Sequence, residues 1–396
     1  MVAEEKPTEA TPGHGAAQAE VVVIGAGIIG LTSAIQFAKR GLRVVLIDNL
    51  EGQKQSYKVG ESLLIFSNMF LRTIGDLDDF VEKSVPKKGV WFSYGAEGAA
   101  GFENASEWAL ESVLPQRWKD AFVSQRLFRT MINDAQIVRP EAESELCRTA
   151  LAHPNITFLN TAKVKDAHIS EDGGLHEVVW QCQQSDRAGM FRANWVIDCS
   201  GRNRFLARKR KHMAEKTEFA DGFQTTAVWA QFSNVHAGLF DDRWAHQYKD
   251  GTKTKREKST LHLWGHGYWI WVICLSDDRI SVGATYDQKN PPPGEKLKDK
   301  FWNIIRRYRI FDGILHDENI IEFQSFKNVQ HITDTFVSPH RYGMIGDAAS
   351  IIDAYYSQGM SLAFVTSWHL TNIMQQDVKE QCLDGKRHYL TDFPVI

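Results

Sequence analysis

The chain of 396 residues exceeds what one compact core usually holds, so two domains or one large two-part domain are expected. A net charge of −3 gives no electrostatic reason to expect nucleic acid or an anionic membrane as a partner. The five cysteines form no CxxC pair, and no stretch approaches the roughly 20 apolar residues of a membrane helix, so a reduced, cytoplasmic protein is expected. Residues 1–19 lack the apolar core of a signal peptide and are predicted to form a disordered tail.

A strand–turn–helix–strand unit is predicted at residues 20–48. An apolar run typical of a buried parallel strand leads into Gly25-x-Gly27-x-x-Gly30, and a helix pattern and a second apolar run then end at Asp48. Gly25 permits the tight turn, Gly27 lets the backbone approach a pyrophosphate, and Gly30 lets helix and strand pack closely. Because Asp48 can accept a hydrogen bond from a ribose 2′-hydroxyl, the unit predicts binding of FAD or NAD rather than NADP.

Two later stretches extend this pattern. "WVIDCSGR" contains Asp198 and Gly201 after a short apolar strand, and "GMIGDAAS" contains the turn Gly346-Asp347 after another. In this order the three motifs resemble those of the FAD-dependent monooxygenases of the p-hydroxybenzoate-hydroxylase type. The resemblance implies that the cofactor is FAD, that Asp198, Gly201 and Gly346 belong to its site, and that Asp347 holds its ribityl chain.

Two further stretches resemble the flavin-dependent halogenases. "KVGESLL" is similar to their loop near the flavin and implies cofactor contacts from Glu61 and Ser62. "GYWIWVICL" is similar to their WxWxI strand and implies that Trp269 and Trp271 line the substrate pocket. Both faces of this second stretch are apolar, so the residues alone are also explained by a buried strand in a sheet that is covered on both sides.

The lysine pair in "VPKKGVWFSYG" has two readings. A turn after Pro86 with both lysines in solvent is the simpler one. The spacing also resembles the halogenase pattern KxGxxFxWG, which selects Lys87 rather than Lys88 as the catalytic lysine, with Tyr94 in place of the tryptophan. A lysine in a dry pocket could hydrogen-bond hypohalous acid or form a haloamine, and desolvation would lower its pKa and aid the amine route.

A turn that opens the last helix is the expected halide site. The backbone N–H groups near Gln358, Gly359 and Met360 lie at a predicted helix start, where anions bind favourably. Tyr356 stands where tryptophan halogenases have a glutamate, which implies a phenol- or pyrrole-type substrate. The chain ends soon after this helix, so an open site and a large or carrier-protein-tethered substrate are expected. The resemblance further implies a separate flavin reductase.

Several features depart from the halogenase pattern. Ile65, Cys274 and Ala354 replace family prolines, and "VSQRLFR" stands in place of VxRxxFD, with Arg126 as the candidate for the cofactor contact. An ordinary flavin hydroxylase and a flavin-binding partner without turnover therefore remain open. His262 and His266 are interpreted as structural or solvent-facing residues rather than as a base that deprotonates a phenol, and no metal site is expected.

The predicted fold is α/β, with a Rossmann-like FAD-binding domain, a parallel sheet with helices, and a smaller substrate domain based on a β-sheet. A meander with turns at residues 265–267 and 277–278 is predicted within the substrate domain. The basic run at residues 202–212 is interpreted as a solvated helix face rather than as a nucleic-acid site. The segments assigned to the FAD domain are 20–82, 118–205 and 336–396, and those assigned to the substrate domain are 83–117 and 206–335.

Overall fold

A computed structural model describes residues 17–50, 57–111, 134–213 and 224–384 of the chain. Helices in these residues are α1 (Ile28–Lys39), α2 (Ile65–Thr73), α3 (Asp78–Lys83), α4 (Arg139–Ala152), α5 (Phe205–Lys209), α6 (Leu297–Ile305) and α7 (Gly359–Asp384). None of these helices combines the length and apolarity needed to cross a bilayer.

The first large sheet is mostly parallel. Its strands are β1 (Ala17–Ile24), β2 (Val44–Ile47), β7 (Ile156–Leu159), β8 (Ala162–His168), β9 (His176–Cys182), β10 (Ala188–Asp198), β19 (Val337–Ser338) and β20 (Tyr342–Met344). The order β7-β2-β1-β10-β20 is parallel throughout, and β8, β9 and β19 add antiparallel pairs. Helices α1, α4 and α7 cover one face, while α5 packs on the other. This is the predicted parallel sheet with helices on both faces.

The prediction of a disordered tail is wrong for its last three residues. Residues 17–19 belong to β1, where Ala17 pairs with Phe191 and Ala19 pairs with Ala193. The long strand β10 offers backbone partners this far upstream, and these hydrogen bonds order residues whose composition alone suggests disorder. Residues 1–16 lie outside the described part of the chain.

The second large sheet has the order β17-β11-β16-β15-β14-β4-β5. Its strands are β4 (Gly89–Tyr94), β5 (Ser106–Glu111), β11 (Thr225–Phe232), β14 (Thr260–Gly265), β15 (Tyr268–Cys274), β16 (Ile280–Asp287) and β17 (Ile320–Lys327). The successive strands β14, β15 and β16 are the predicted meander, with turns at the predicted places. Helix α6 covers one face, and the opposite face, which carries Trp269 and Trp271, packs toward the first sheet.

Short strand pairs fill the space around the two sheets. They are β3 (Val85–Lys87) with β6 (Asp134–Gln136), β12 (Ala245–Gln247) with β13 (Lys253–Lys255), and β18 (His331–Ile332) with β21 (Ser350–Ile351). In the basic run, Leu206 and Ala207 are buried against the first sheet, as expected for one face of a helix. The predicted domain boundaries themselves stay a prediction.

Candidate active site

The first glycine motif forms a tight turn between β1 and α1. Gly25 has φ +98, and a Cβ there would lie 2.6 Å from the carbonyl oxygen of Cys199. A Cβ at Gly30 would overlap the carbonyl oxygen of Gly25. At Gly27, by contrast, a Cβ would meet no atom within 4 Å. The turn therefore leaves open space at the start of α1, where unpaired N–H groups can receive a pyrophosphate.

Asp48 lies beside this turn at the end of β2. Its Oδ2 accepts a hydrogen bond of 2.7 Å from the N–H of Ala26, and its Oδ1 accepts one of 2.7 Å from the N–H of Asn49. The carboxylate is half-buried, so part of it remains accessible from the open space beside the glycine turns, which is called the cleft below. Its predicted contact with a ribose stays a prediction.

Asp198 and Gly201 form the next turn. Asp198 is fully buried, and its two oxygens accept hydrogen bonds from the N–H groups of Ser200 (2.8 Å) and Leu206 (2.7 Å). The Asp198 carboxylate therefore holds the backbone of the turn and does not reach the cleft. Gly201 has φ +59 and open space where a side chain would be, so its backbone faces the cleft.

The third motif places Asp347 at the same cleft. Gly346 has φ +63, and the Asp347 side chain is exposed although helices and strands surround it. The guanidinium groups of Arg139 and Arg202 act on this carboxylate electrostatically. A glycine turn, an accessible carboxylate and nearby cations fit a dinucleotide with a ribityl chain and a charged pyrophosphate. Arg126, the predicted cofactor contact, lies outside the described residues.

Arg139 is a cation that sequence analysis missed. Its Nη1 donates to the carbonyl oxygen of Val59 at 2.6 Å, and its Nη2 donates to Glu143 Oε1 at 2.7 Å. A Cβ at Gly60, which has φ +96, would lie 2.5 Å from Nη1, so only glycine fits beside this guanidinium. The signal in the sequence, one arginine before a proline at a helix start, is too common to be recognised.

Glu61 does not line the cleft. Its carboxyl is buried, where it accepts a hydrogen bond from Gln231 on β11 and lies close to Ser281 on β16. Burial raises the pKa of Glu61 to about 7, against the opposing effects of Ser281, Gln231 and Arg139. The side chain ties its loop to the second sheet, and a direct contact with the cofactor is not part of this arrangement.

Ser62 and Leu63, which follow Glu61, connect Lys87 with the predicted halide turn. The hydroxyl of Ser357 donates to Ser62 Oγ at 3.2 Å, and Ser62 Oγ lies 2.8 Å from Thr260 Oγ1 on β14. The carbonyl oxygen of Leu63 accepts a hydrogen bond of 3.1 Å from Lys87 Nζ. The segment Ser62–Leu63 thus contacts both groups that the halogenase resemblance selects.

The two lysines of the pair have opposite surroundings. The Lys87 side chain is fully buried, and its Nζ lies 3.2 Å from Asp134 Oδ2. Burial lowers the pKa of Lys87, while the Asp134 carboxylate opposes this effect. Lys88 is exposed and donates to Thr254 Oγ1 at 2.9 Å. The simple interpretation, a turn with both lysines in solvent, is therefore wrong for Lys87 and holds for Lys88.

The turn before α7 is held by Gln358. Its Nε2 donates to the carbonyl oxygen of Asp353 at 2.8 Å, and its Oε1 accepts from the N–H of Tyr356 at 3.2 Å. Helix α7 begins at Gly359, so the N–H groups of Gly359 and Met360 are in its first turn and have no carbonyl partner within the helix. The Gln358 side chain is used within the protein, and the backbone supplies the donors for an anion.

An aromatic wall near Lys87 is defined by Trp108, Phe92, His262 and Trp269 on the second sheet and by Tyr355 from the turn before α7. Phe92 stacks between Trp108 at 3.9 Å and His262 at 4.6 Å, and Tyr355 and Trp269 flank the histidine. Burial lowers the pKa of His262 to about 3, so the ring is neutral. His262 is therefore structural and buried rather than solvent-facing.

The two tryptophans that are predicted to line the pocket differ in exposure. Trp269 is half-buried in the aromatic wall, and Trp271 lies behind it, buried, with ring centroids 5.6 Å apart. Gly283 allows this packing because a Cβ there would overlap the Trp271 ring. Trp269 is thus accessible to a ligand, whereas Trp271 supports it.

Comparison with known proteins agrees with this geometry. The profile of the family described as FAD binding domain matches residues 18–385. The flavin-dependent halogenase chlA of Dictyostelium discoideum is 23% identical over 393 residues, which cover 93% of this chain and 62% of that protein. A 1H-pyrrole-2-carbonyl-(peptidyl-carrier protein) chlorinase of Pseudomonas fluorescens is 26% identical over 357 residues, which cover 87% of this chain and 73% of that protein.

Solved structures share the fold. The halogenase PltM in complex with phloroglucinol and FAD has a TM-score of 0.70 at 19% identity, covering 94% of this chain and 71% of that chain. The flavin-dependent halogenase CmlS has a TM-score of 0.70 at 19% identity, and the match covers 93% of this chain and 60% of CmlS. This chain thus spans about three fifths of CmlS and of the Dictyostelium protein. Because the family profile covers nearly all of its described residues, the chain belongs to the FAD binding domain family, and its cofactor is FAD.

Proposed function

We propose that the protein is a flavin-dependent halogenase that acts on an electron-rich aromatic ring of the phenol or pyrrole type. One observation carries the proposal: a fully buried lysine, Lys87, is bound to the same two-residue segment, Ser62–Leu63, that binds the turn before α7. A flavin hydroxylase has no need for a buried ammonium beside an anion-binding turn. The names of the relatives support the same function.

The cofactor and the halide have separate places in this proposal. Gly25, Gly27 and Gly201 leave backbone room for FAD, and we expect Asp347, whose side chain is exposed, to hold the ribityl chain. Bound reduced FAD, together with oxygen and chloride or bromide, supplies hypohalous acid. The first N–H groups of α7 hold the halide, because a helix start favours an anion.

Lys87 directs the halogen. Its ammonium donates a hydrogen bond to the oxygen of hypohalous acid while a ring carbon attacks the halogen. The carbon–halogen bond forms, the halogen–oxygen bond breaks, and the oxygen leaves as water with the proton from Lys87. The ring then loses its own proton to solvent, and solvent returns one proton to Lys87, so atoms and charge balance. The buried surroundings of Lys87 keep bulk water from this step.

The substrate ring lies against the aromatic wall. Trp108 and Tyr356 are exposed at its outer end, which leaves room for a group attached to the ring. A carrier-protein-tethered substrate is one candidate, because two relatives are named for pyrrole rings on peptidyl-carrier proteins. A separate flavin reductase is the expected partner. Because the cysteines of the described residues are free thiols, we place the reaction in the cytoplasm.

The test supplies the purified protein with FAD, a flavin reductase, NADH, oxygen and bromide, with phenols and pyrroles as substrates. Mass spectrometry should detect brominated product, which Lys87→Met should abolish and Lys88→Met should leave unchanged. Oxygen insertion that is indifferent to bromide and to Lys87 would mean a hydroxylase. NADH oxidation by the protein without any added reductase would also indicate a hydroxylase.

A further inference from the structure

Lys87 shares its buried site with one carboxylate, Asp134. The two residues face each other across the strand pair β3–β6, and Lys87 Nζ lies 3.2 Å from Asp134 Oδ2. Their side chains are 0% and 11% exposed, so both charges are largely removed from water. The sequence offers no hint of this pairing, because the two residues are far apart in the chain and no recognised motif contains Asp134.

The hydrogen bonds around Lys87 are those of an ammonium donor. Both neighbours of Nζ, the Leu63 carbonyl oxygen and Asp134 Oδ2, are acceptors. A lysine ammonium has three N–H bonds, so one remains to point at a ligand. A neutral amine in this position would leave the buried Asp134 carboxylate without its charge partner, which is costly.

The Asp134 carboxylate is held in place by the protein. The backbone N–H of Ile65, at the start of α2, hydrogen-bonds this carboxylate. Burial raises the pKa of Asp134, and the Lys87 charge and the Ile65 N–H oppose this effect. The carboxylate is therefore fixed beside Lys87 Nζ by groups from two further parts of the chain.

No second charge competes with this pair among the described residues. His262 on β14 is close enough for Lys87 to affect it electrostatically, and burial keeps that ring neutral. Glu61 is two residues from Leu63, and its carboxyl is bonded to Gln231 instead. In the turn before α7, Tyr356 is exposed, and the Asp353 carboxylate accepts hydrogen bonds from the Tyr355 N–H and from Gln330 instead.

We propose that Asp134 is the residue that holds Lys87 as a charged, oriented hydrogen-bond donor, so that halogen transfer uses the ammonium and not a haloamine. The inference rests on the proposed function and decides between the two routes that a buried lysine offers. Asp134 acts through Lys87 and is a positioning residue. In this route no nitrogen–halogen bond forms, and the proton that Lys87 gives to the departing oxygen is replaced from solvent.

The test uses the FAD-loaded protein with ¹³Cε-labelled lysine, and the Lys87 signal is assigned by its absence from Lys87→Met. The wild-type signal should report an ammonium at neutral pH. In Asp134→Asn, which keeps the shape and removes the charge, the titration of this signal should move to lower pH. Asp78→Asn, which removes one of two carboxylates from Arg72 on α2, is the matched control and should leave the Lys87 signal unchanged.

Activity provides the second readout. Asp134→Asn should lower kcat for bromination by about a hundredfold and move the loss of activity at high pH toward lower pH, because a misplaced donor costs about this factor. Asp134→Glu should restore part of the rate. A neutral Lys87 in the wild type, or an Asp134→Asn variant with unchanged titration and unchanged pH profile, would overturn the inference. If the wild type brominates nothing, the proposed function fails, while the titration still decides whether Asp134 keeps Lys87 charged.

Discussion

Glu61→Gln should stabilise the protein at alkaline pH. Glu61 is 2% exposed, and burial raises its pKa from the ordinary 4.5 to about 7. The folded state therefore binds the proton more tightly than the unfolded state, so stability falls as pH rises from about 4.5 to about 7. Because one pKa unit corresponds to about 1.4 kcal/mol, the full loss above this range is about 3 kcal/mol.

The measurement is the free energy of unfolding of the FAD-saturated protein in urea at several pH values. At pH 5.5 about 1 kcal/mol of the loss has occurred, so the gap between wild type and Glu61→Gln should widen by about 2 kcal/mol up to pH 8.5. The glutamine amide can exchange two hydrogen bonds with Gln231 and needs no proton. Glu103→Gln, at an exposed loop position, is the control and should show no such widening. Parallel curves for Glu61→Gln and wild type would refute the reasoning.

Three further predictions follow from single positions. Gly27→Ala should leave the fold intact, because nothing lies within 4 Å of the new Cβ. It should weaken FAD binding about tenfold or more, because the new methyl group occupies space next to the pyrophosphate. Fluorescence titration with FAD checks this, and an unchanged affinity would contradict it. Gly283→Ala should lower stability by about 1–3 kcal/mol, because its Cβ overlaps a tryptophan ring, and an unchanged urea midpoint would show that the sheet adapts. Asp347→Asn should raise the Kd for FAD. It should leave the free energy of unfolding of the apoprotein in urea unchanged to within about 0.5 kcal/mol, because this carboxylate is exposed; a large loss of stability would assign it a structural role instead.

The sequence predicts best where a local pattern determines the structure. The turn at Gly25, the meander on β14–β16 and the start of α7 at Gly359 each follow from residues close together in the chain. Lys87 was selected by its spacing to a phenylalanine and a glycine, and the structure adds the burial that this role needs. In these cases the pattern and the structure have the same cause, which is the period of a strand or the freedom of a glycine backbone.

The partners of these residues could not be predicted, because they are brought together only by the fold. Asp134 pairs with Lys87 through a short antiparallel ladder, and Arg139 reaches Val59 from the start of a helix. For Asp198 the local pattern is not enough: an acid after a strand suggests a ligand contact, whereas its oxygens hold the backbone of the next turn. Side-chain direction depends on what packs around a residue, and a single sequence does not contain that information.

The four residues of the GESL segment explain why the parts of this site depend on one another. Gly60 makes room for a cation at the cofactor cleft, and Glu61 ties the segment to the second sheet. Ser62 bonds the turn before α7, and the Leu63 carbonyl oxygen bonds Lys87. Because these contacts come from four consecutive residues, a backbone shift that improves one contact displaces the next. A substitution here should therefore change FAD affinity and halogen transfer together, whereas Asp134→Asn should change halogen transfer alone.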